Sequence, residues 1–168
     1  YFGVREAVND AKLMKKLGMN IGIGDKTVID QGFGNVGFHA AKFLQEGGAT
    51  IVGIVEWDGA VYSKDGIDVM ALDAHRKATG SITNFPGAKT VKNGNSVLEY
   101  PCDILVPAAL ESQIHADNAN GIKAKIVAEG ANGPITFDGE NILIKKGILM
   151  IPDMYINAGG VVVSFFER

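Results

Sequence analysis

The chain has 168 residues, of which 46% are apolar and 21% charged, an ordinary globular mixture far from disordered or fibrous compositions. Sixteen basic and nineteen acidic residues leave a net charge of -3, with no run of Lys or Arg, which argues against nucleic acid or an anionic membrane as partner. Apolar stretches such as residues 142–144 and 161–163 fall far short of the roughly 20 residues of a membrane-spanning helix, and the single cysteine, Cys102, allows no internal disulfide and points to a reducing, intracellular compartment.

The first residues, Tyr1-Phe2-Gly3, form neither a secretory signal nor an initiator start, so the chain is expected to be a segment of a longer protein. Val4, Ala7, Val8, Ala11, Met14 and Leu17 recur at three and four residues, which predicts one amphipathic helix over residues 2–17, ended by Gly18. The β-branched run at residues 27–31 predicts a strand that stops at Gly32. Helical spacing returns over residues 36–46 and ends at Gly47-Gly48. Residues 50–55 are continuously apolar, as expected of a parallel strand covered on both faces.

Turn signals follow at Asp58-Gly59 and Asp65-Gly66, and Asp68 is placed as the N-cap of a helix reaching Thr79. Residues 80–96 have little periodicity and are expected to be loop with a short hairpin at most. Three further strands are predicted at residues 103–106, 124–128 and 147–151. Alternating apolar strands and helices imply an α/β fold, a doubly wound, mostly parallel sheet with helices on both faces, in one domain spanning residues 1–168.

Gly32-Phe33-Gly34-Asn35-Val36-Gly37 matches G-x-G-x-x-G. The pattern alone is weak in a chain with 22 glycines, but here it follows a predicted strand and opens a predicted helix. That context is what a Rossmann-type dinucleotide site requires: a tight turn, close backbone approach, and the unpaired N–H groups of the first helical turn facing a pyrophosphate. Glu56 lies 19 residues beyond Gly37, at the end of the second strand, where a carboxylate accepts hydrogen bonds from the adenosine ribose. Its charge would repel a 2'-phosphate, so NAD is favoured and NADP is the alternative.

Gln31-Gly32-Phe33-Gly34-Asn35-Val36-Gly37, Pro107-Ala108-Ala109, Ala128-Glu129-Gly130-Ala131-Asn132-Gly133-Pro134 and Asn157-Ala158-Gly159-Gly160-Val161, in this order, resemble the glutamate dehydrogenase family, within the group that also includes leucine, phenylalanine and valine dehydrogenases. The resemblance covers nearly the whole chain. It implies that Gly32, Phe33, Gly34, Asn35 and Val36 hold the pyrophosphate and Glu56 the ribose, that Ala108, Ala109 and Asn132 lie along the nicotinamide half, and that Asn157 contacts the carboxamide. It also implies that Val161 and Ser164 touch the substrate; leucine-type relatives tend to be apolar at the Ser164 position, so the serine favours glutamate. A serine bonded within its own terminal helix is the alternative for Ser164.

The implied reaction is the reversible oxidative deamination of L-glutamate to 2-oxoglutarate and ammonia, in a hexameric homo-oligomer of the bacterial cytoplasm or the mitochondrial matrix. The family's catalytic lysine and aspartate are expected on a separate N-terminal domain, so none of the residues here is assigned to catalysis and the chain is not expected to be active alone. Relatives continue beyond Arg168 into more helices. Asp30 departs from the family's aliphatic residue and must find a partner or a wet strand end; Val162 stands for a common threonine, with little consequence expected.

His39, His75 and His115 have no spacing suited to one metal, so no metal is predicted. Cys102 is read as a structural thiol. Asp153 either caps a helix or faces the cleft. A branched-chain or aromatic amino-acid dehydrogenase of the same family stays open as the alternative, and so do two other kinds of reading: a non-catalytic nucleotide-sensing module, and the same fold holding a flavin or S-adenosylmethionine.

Overall fold

The computed structural model describes residues 1–166. In chain order the elements are α1 (Phe2–Asn9), α2 (Ala11–Leu17), β1 (Thr27–Gln31), α3 (Asn35–Glu46), β2 (Thr50–Glu56), β3 (Gly59–Tyr62), α4 (Val69–Thr79), β4 (Lys89–Val91), a 3-10 helix (Gly94–Glu99), β5 (Ile104–Pro107), α5 (Ala116–Ala119), β6 (Ile126–Ala128), α6 (Phe137–Lys145), β7 (Leu149–Ile151), α7 (Asp153–Ile156) and α8 (Gly159–Phe166). The seven strands form one sheet in the order β4-β3-β2-β1-β5-β6-β7. From β2 through β7 neighbours run parallel, while β3 and β4 add an antiparallel edge. This is the doubly wound, mostly parallel architecture expected from the alternating pattern.

Both faces of the sheet are covered, which is why β1 and β2 read as near-continuous apolar runs. Along β1, Val28 packs into the core beneath α1, α2, α3 and α4, and Ile29 into the core on the opposite face, with Leu98, Ile114 and Leu143. Residues of alternating parity thus serve two cores.

Several local signals act as read. Gly18 ends α2 in the left-handed conformation at φ 62°. Asp68 caps α4 by accepting from the Ala71 N–H at 2.9 Å, and Gly80 closes it at φ 80°. The helix expected over residues 2–17 is instead two helices. Asp10 takes extended backbone angles and its carboxylate accepts from the Lys12 and Leu13 N–H groups, which makes it an N-cap inside the apolar periodicity. The periodicity survives because both short helices bury the same stripe, Val4, Val8 and Met14.

The segment 80–96 holds β4 and the start of the 3-10 helix, and the turn signal at Asp58-Gly59 falls on an antiparallel hairpin whose turn is Trp57-Asp58, closed by Glu56 pairing with Gly59. The short α6, capped by Thr136 Oγ1 accepting from the Gly139 N–H, carried no recognised periodic signal. No helix among the described residues is long and apolar enough to cross a membrane.

Candidate functional site

The strand order reverses at β1, whose next strand, β2, lies on one side and whose later neighbour, β5, on the other. In open α/β sheets the carboxyl ends of strands at such a point leave a crevice. A cavity of about 690 Å³ occupies it, lined at the end of β1 and the start of α3 by Gln31, Gly32, Gly34, Asn35 and Val36, at β2 by Val55, Glu56 and Trp57, and beyond β5 by Ala108, Ala109, Leu110 and Gln113.

The glycines have separate reasons to be there. Gly32 has φ 99°, donates its N–H to the Val55 carbonyl at 2.7 Å, and a Cβ on it would meet the Ala108 carbonyl oxygen at 2.8 Å. At Gly37 a Cβ would stand 1.8 Å from the Gly32 carbonyl oxygen, so only glycine lets α3 begin this close to β1. Gly34 is the N-cap of α3, and a Cβ there would have no protein atom within 4 Å. The turn is therefore tight against the protein and open on the cavity side, the shape a cradled diphosphate needs. The first-turn N–H groups of α3 have no intrahelical acceptor, and the helix dipole makes that end favourable to an anion.

Phe33 differs from its neighbours. Its ring is fully buried, edge-on to Phe38, and its peptide is engaged at both ends: the N–H donates to Glu56 Oε1 and the carbonyl accepts from Arg76 Nη1. Glu56 Oε2 accepts from the Trp57 N–H at 3.2 Å. Its carboxylate faces the cavity rim while tying β2 to the glycine turn, and each oxygen retains a lone pair for a ribose hydroxyl. The cavity also brings in residues that local sequence did not single out. Lys92, Asn93, Gly94 and Asn95 arrive from the β4 connection, and Gln113 accepts at Oε1 from Gln31 Nε2 at 2.7 Å, leaving buried Gln31 Oε1 unpartnered.

Of the residues expected along the nicotinamide half, Ala108 is buried, with its N–H on the Gln31 carbonyl at 2.8 Å, and Ala109 lines the cavity. Asn132 and Asn157, distant in sequence, meet through Asn157 Nδ2 donating to Asn132 Oδ1 at 2.7 Å, outside the cavity lining. Asp153 caps this corner: it is the first residue of α7 and Oδ2 accepts from the Gly133 N–H at 2.8 Å. Its own N–H donates to Glu129 Oε2 at 3.2 Å. Burial raises the Glu129 pKa, the Asp153 N–H lowers it, and the charges of Asp153 and Glu140 raise it further. Val161 and Ser164 stand exposed on α8, away from the cavity.

Asp30 lies fully buried on the α3 face of β1, and neither carboxylate oxygen has a hydrogen-bond partner. Burial pushes its pKa well above the usual carboxylate range; the Ala41 N–H opposes this without closing a hydrogen bond, and the Glu56 charge adds to the rise. Among the described residues no hydrogen-bond partner reaches this carboxyl, and it has no solvent exposure. Burial, with the Asp103 charge, pushes the Cys102 thiol up to about 12, which leaves it an inert core residue. His39 and His75 bond separately, to the Asn35 and Thr83 carbonyls, and the His115 ring lies 3.6 Å from the Asp117 carboxylate.

The strand order, with a glycine turn at its switch point and a carboxylate ending the next strand, defines a Rossmann-type domain. The model of the Glutamate/Leucine/Phenylalanine/Valine dehydrogenase family matches residues 2–168, and the chain belongs to that family. It is 50% identical over 146 residues to an NADP-specific glutamate dehydrogenase of Saccharolobus shibatae, covering 87% of this chain and 34% of that protein. With a catabolic NAD-specific glutamate dehydrogenase of Bacillus subtilis it shares 44% identity over 165 residues, covering 98% and 38%. A crystal structure of hetero-hexameric glutamate dehydrogenase from Thermus thermophilus in a Leu-bound form superposes with a TM-score of 0.82 at 28% identity, over 98% of this chain and 38% of that one. The chain spans little more than a third of the length of these relatives.

Proposed function

We propose that this chain is the dinucleotide-binding domain of an amino-acid dehydrogenase that interconverts L-glutamate with 2-oxoglutarate and ammonia, using NAD, or alternatively NADP. The observation that carries the reading is the glycine turn at the switch point, open only toward a cavity whose rim holds Glu56. The residues fit a dinucleotide: Gly34, Asn35 and Val36 would receive the pyrophosphate, Glu56 the adenosine ribose, and Ala108 and Ala109 the nicotinamide side, with Asn132 and Asn157 beyond. Bound nicotinamide would supply the hydride acceptor. The chain's own part is to orient the cofactor and form one wall of a cleft.

Charge supports NAD, since Glu56 at the rim repels a 2'-phosphate, while Lys92 in the same wall is the feature that favours NADP. Val161 and Ser164, exposed on α8, are proposed to meet substrate where another part of the protein completes the pocket. The relatives' greater length supports a separate domain carrying the proton-transfer residues, with this chain a single domain of the whole. A hexameric assembly, in the cytoplasm of a bacterium or the matrix of a mitochondrion, completes the proposal.

Calorimetric titration of the protein with NAD and NADP tests it. NAD binding at least tenfold tighter than NADP, lost in Glu56→Ala, supports the site and its preference. The reverse preference transfers the reading to NADP, and absence of binding of either in the full-length protein overturns it.

A further inference from the structure

A glycine-rich turn is intrinsically free, and fixing its backbone costs conformational entropy. In this chain one residue of the turn is held from two sides by distant elements. Glu56, 23 residues downstream, accepts the Phe33 N–H, and Arg76, 43 residues downstream on α4, donates to the Phe33 carbonyl. The guanidinium centre also stands 5.0 Å from the Phe33 ring centroid, so the same side chain holds both the peptide and the ring.

Arg76 is itself held. Its Nη2 donates to Asp73 Oδ1 at 2.9 Å, one turn earlier on α4, and the nearly buried Asp73 uses its other oxygen for Lys77 Nζ at 2.6 Å. Arg76 does not line the cavity. Its hydrogen-bonded connection to the cavity runs through Phe33. The planar fork suits this task, because one guanidinium reaches a carboxylate and a carbonyl at once while stacking on an aromatic face; an ammonium cannot do all three.

We propose that Arg76 is a positioning residue for dinucleotide binding: anchored by Asp73, it sets the Phe33–Gly34 peptide plane and with it the direction of the Gly34 N–H that opens the helix N-terminus. This rests on the proposed cofactor site and deepens it. The α4 helix thereby becomes a support for the diphosphate cradle, and the Asp73–Arg76 spacing on α4 is part of the binding apparatus.

The test is titration of the full-length protein and its Arg76→Gln, Arg76→Lys and Asp73→Asn variants with NAD, ADP and adenosine. NAD and ADP carry the diphosphate that the turn would hold; adenosine carries none. The expected result is at least a tenfold loss of NAD and ADP affinity in Arg76→Gln with less than a threefold change for adenosine, and a smaller, selective loss in Arg76→Lys. Asp73→Asn should show the same selectivity, and the double variant Asp73→Asn/Arg76→Gln should be no weaker than Arg76→Gln. Unchanged NAD affinity in Arg76→Gln, or equal loss for all three ligands, overturns the proposal. If Arg76→Gln does not fold, Arg76→Lys decides by the same comparison. Failure of the unaltered protein to bind any of the three would instead defeat the cofactor site itself.

Discussion

Replacing Asp30 by valine should make the protein more stable, although Asp30 adjoins the glycine turn. Its carboxyl is fully buried on the α3 face of β1 with both oxygens unpartnered. An unsatisfied buried polar group costs about 1–3 kcal/mol, and an apolar side chain of similar shape removes that cost. A second cost depends on pH. Because burial raises the folded pKa, Asp30 keeps in the native state a proton that the unfolded chain releases above about pH 4. The native state is therefore favoured fully below that range, and stability falls as pH rises until the folded pKa is passed, by up to about 1.4 kcal/mol per pH unit.

Urea and thermal unfolding at a series of pH values would read both effects. Asp30→Val should gain about 1–3 kcal/mol near pH 4, which at this chain length is worth about 2–4 °C of Tm per kcal/mol, and its advantage over the unaltered protein should widen as pH rises. Glu129, also raised, titrates in both proteins, so the difference isolates Asp30. Asp30→Asn, which keeps the shape but cannot ionise, should share the flatter pH dependence without the full gain. If Asp30→Val were no more stable and kept the unaltered pH slope, the buried, unpartnered carboxyl would be refuted.

Three other outcomes are expected. Gly37→Ala should lose about 3 kcal/mol or more in urea unfolding, since its Cβ meets backbone oxygen at 1.8 Å and neither β1 nor α3 can yield without opening the turn. Cys102, with its thiol pushed up to about 12, should resist iodoacetamide in the native protein near pH 8 and react once urea unfolds it, as followed by intact mass. Asp10→Ala should cost about 1 kcal/mol through loss of the cap on α2, leaving the cavity and its ligand affinity unchanged.

The amino-acid sequence by itself determined the parts whose causes are local. The β1 and β2 runs are apolar because both of their faces are covered. The turn at residues 32–37 needs glycine where φ is positive or backbone meets backbone, and Asp68 and Gly80 bound α4 by capping chemistry within one turn of chain. Those signals carried the doubly wound fold and the placement of Glu56 at the cavity rim.

What only the tertiary structure decided rests on contacts between distant residues, for which no periodicity exists. The break at Asp10 is a local exception: its cap on Lys12 and Leu13 was hidden because the apolar stripe continues across it. The β3–β4 edge carries Lys92, Asn93 and Asn95 into the cavity wall through pairing with β2 that a glycine- and asparagine-rich segment does not announce. Asn132 meets Asn157 only because β6 and β7 lie side by side, and Arg76 reaches Phe33 only because α4 packs beside α3. The orphaned state of Asp30 belongs here too: sequence shows a carboxyl in an apolar strand, but whether any donor comes within reach is settled by the packing of α3 above it.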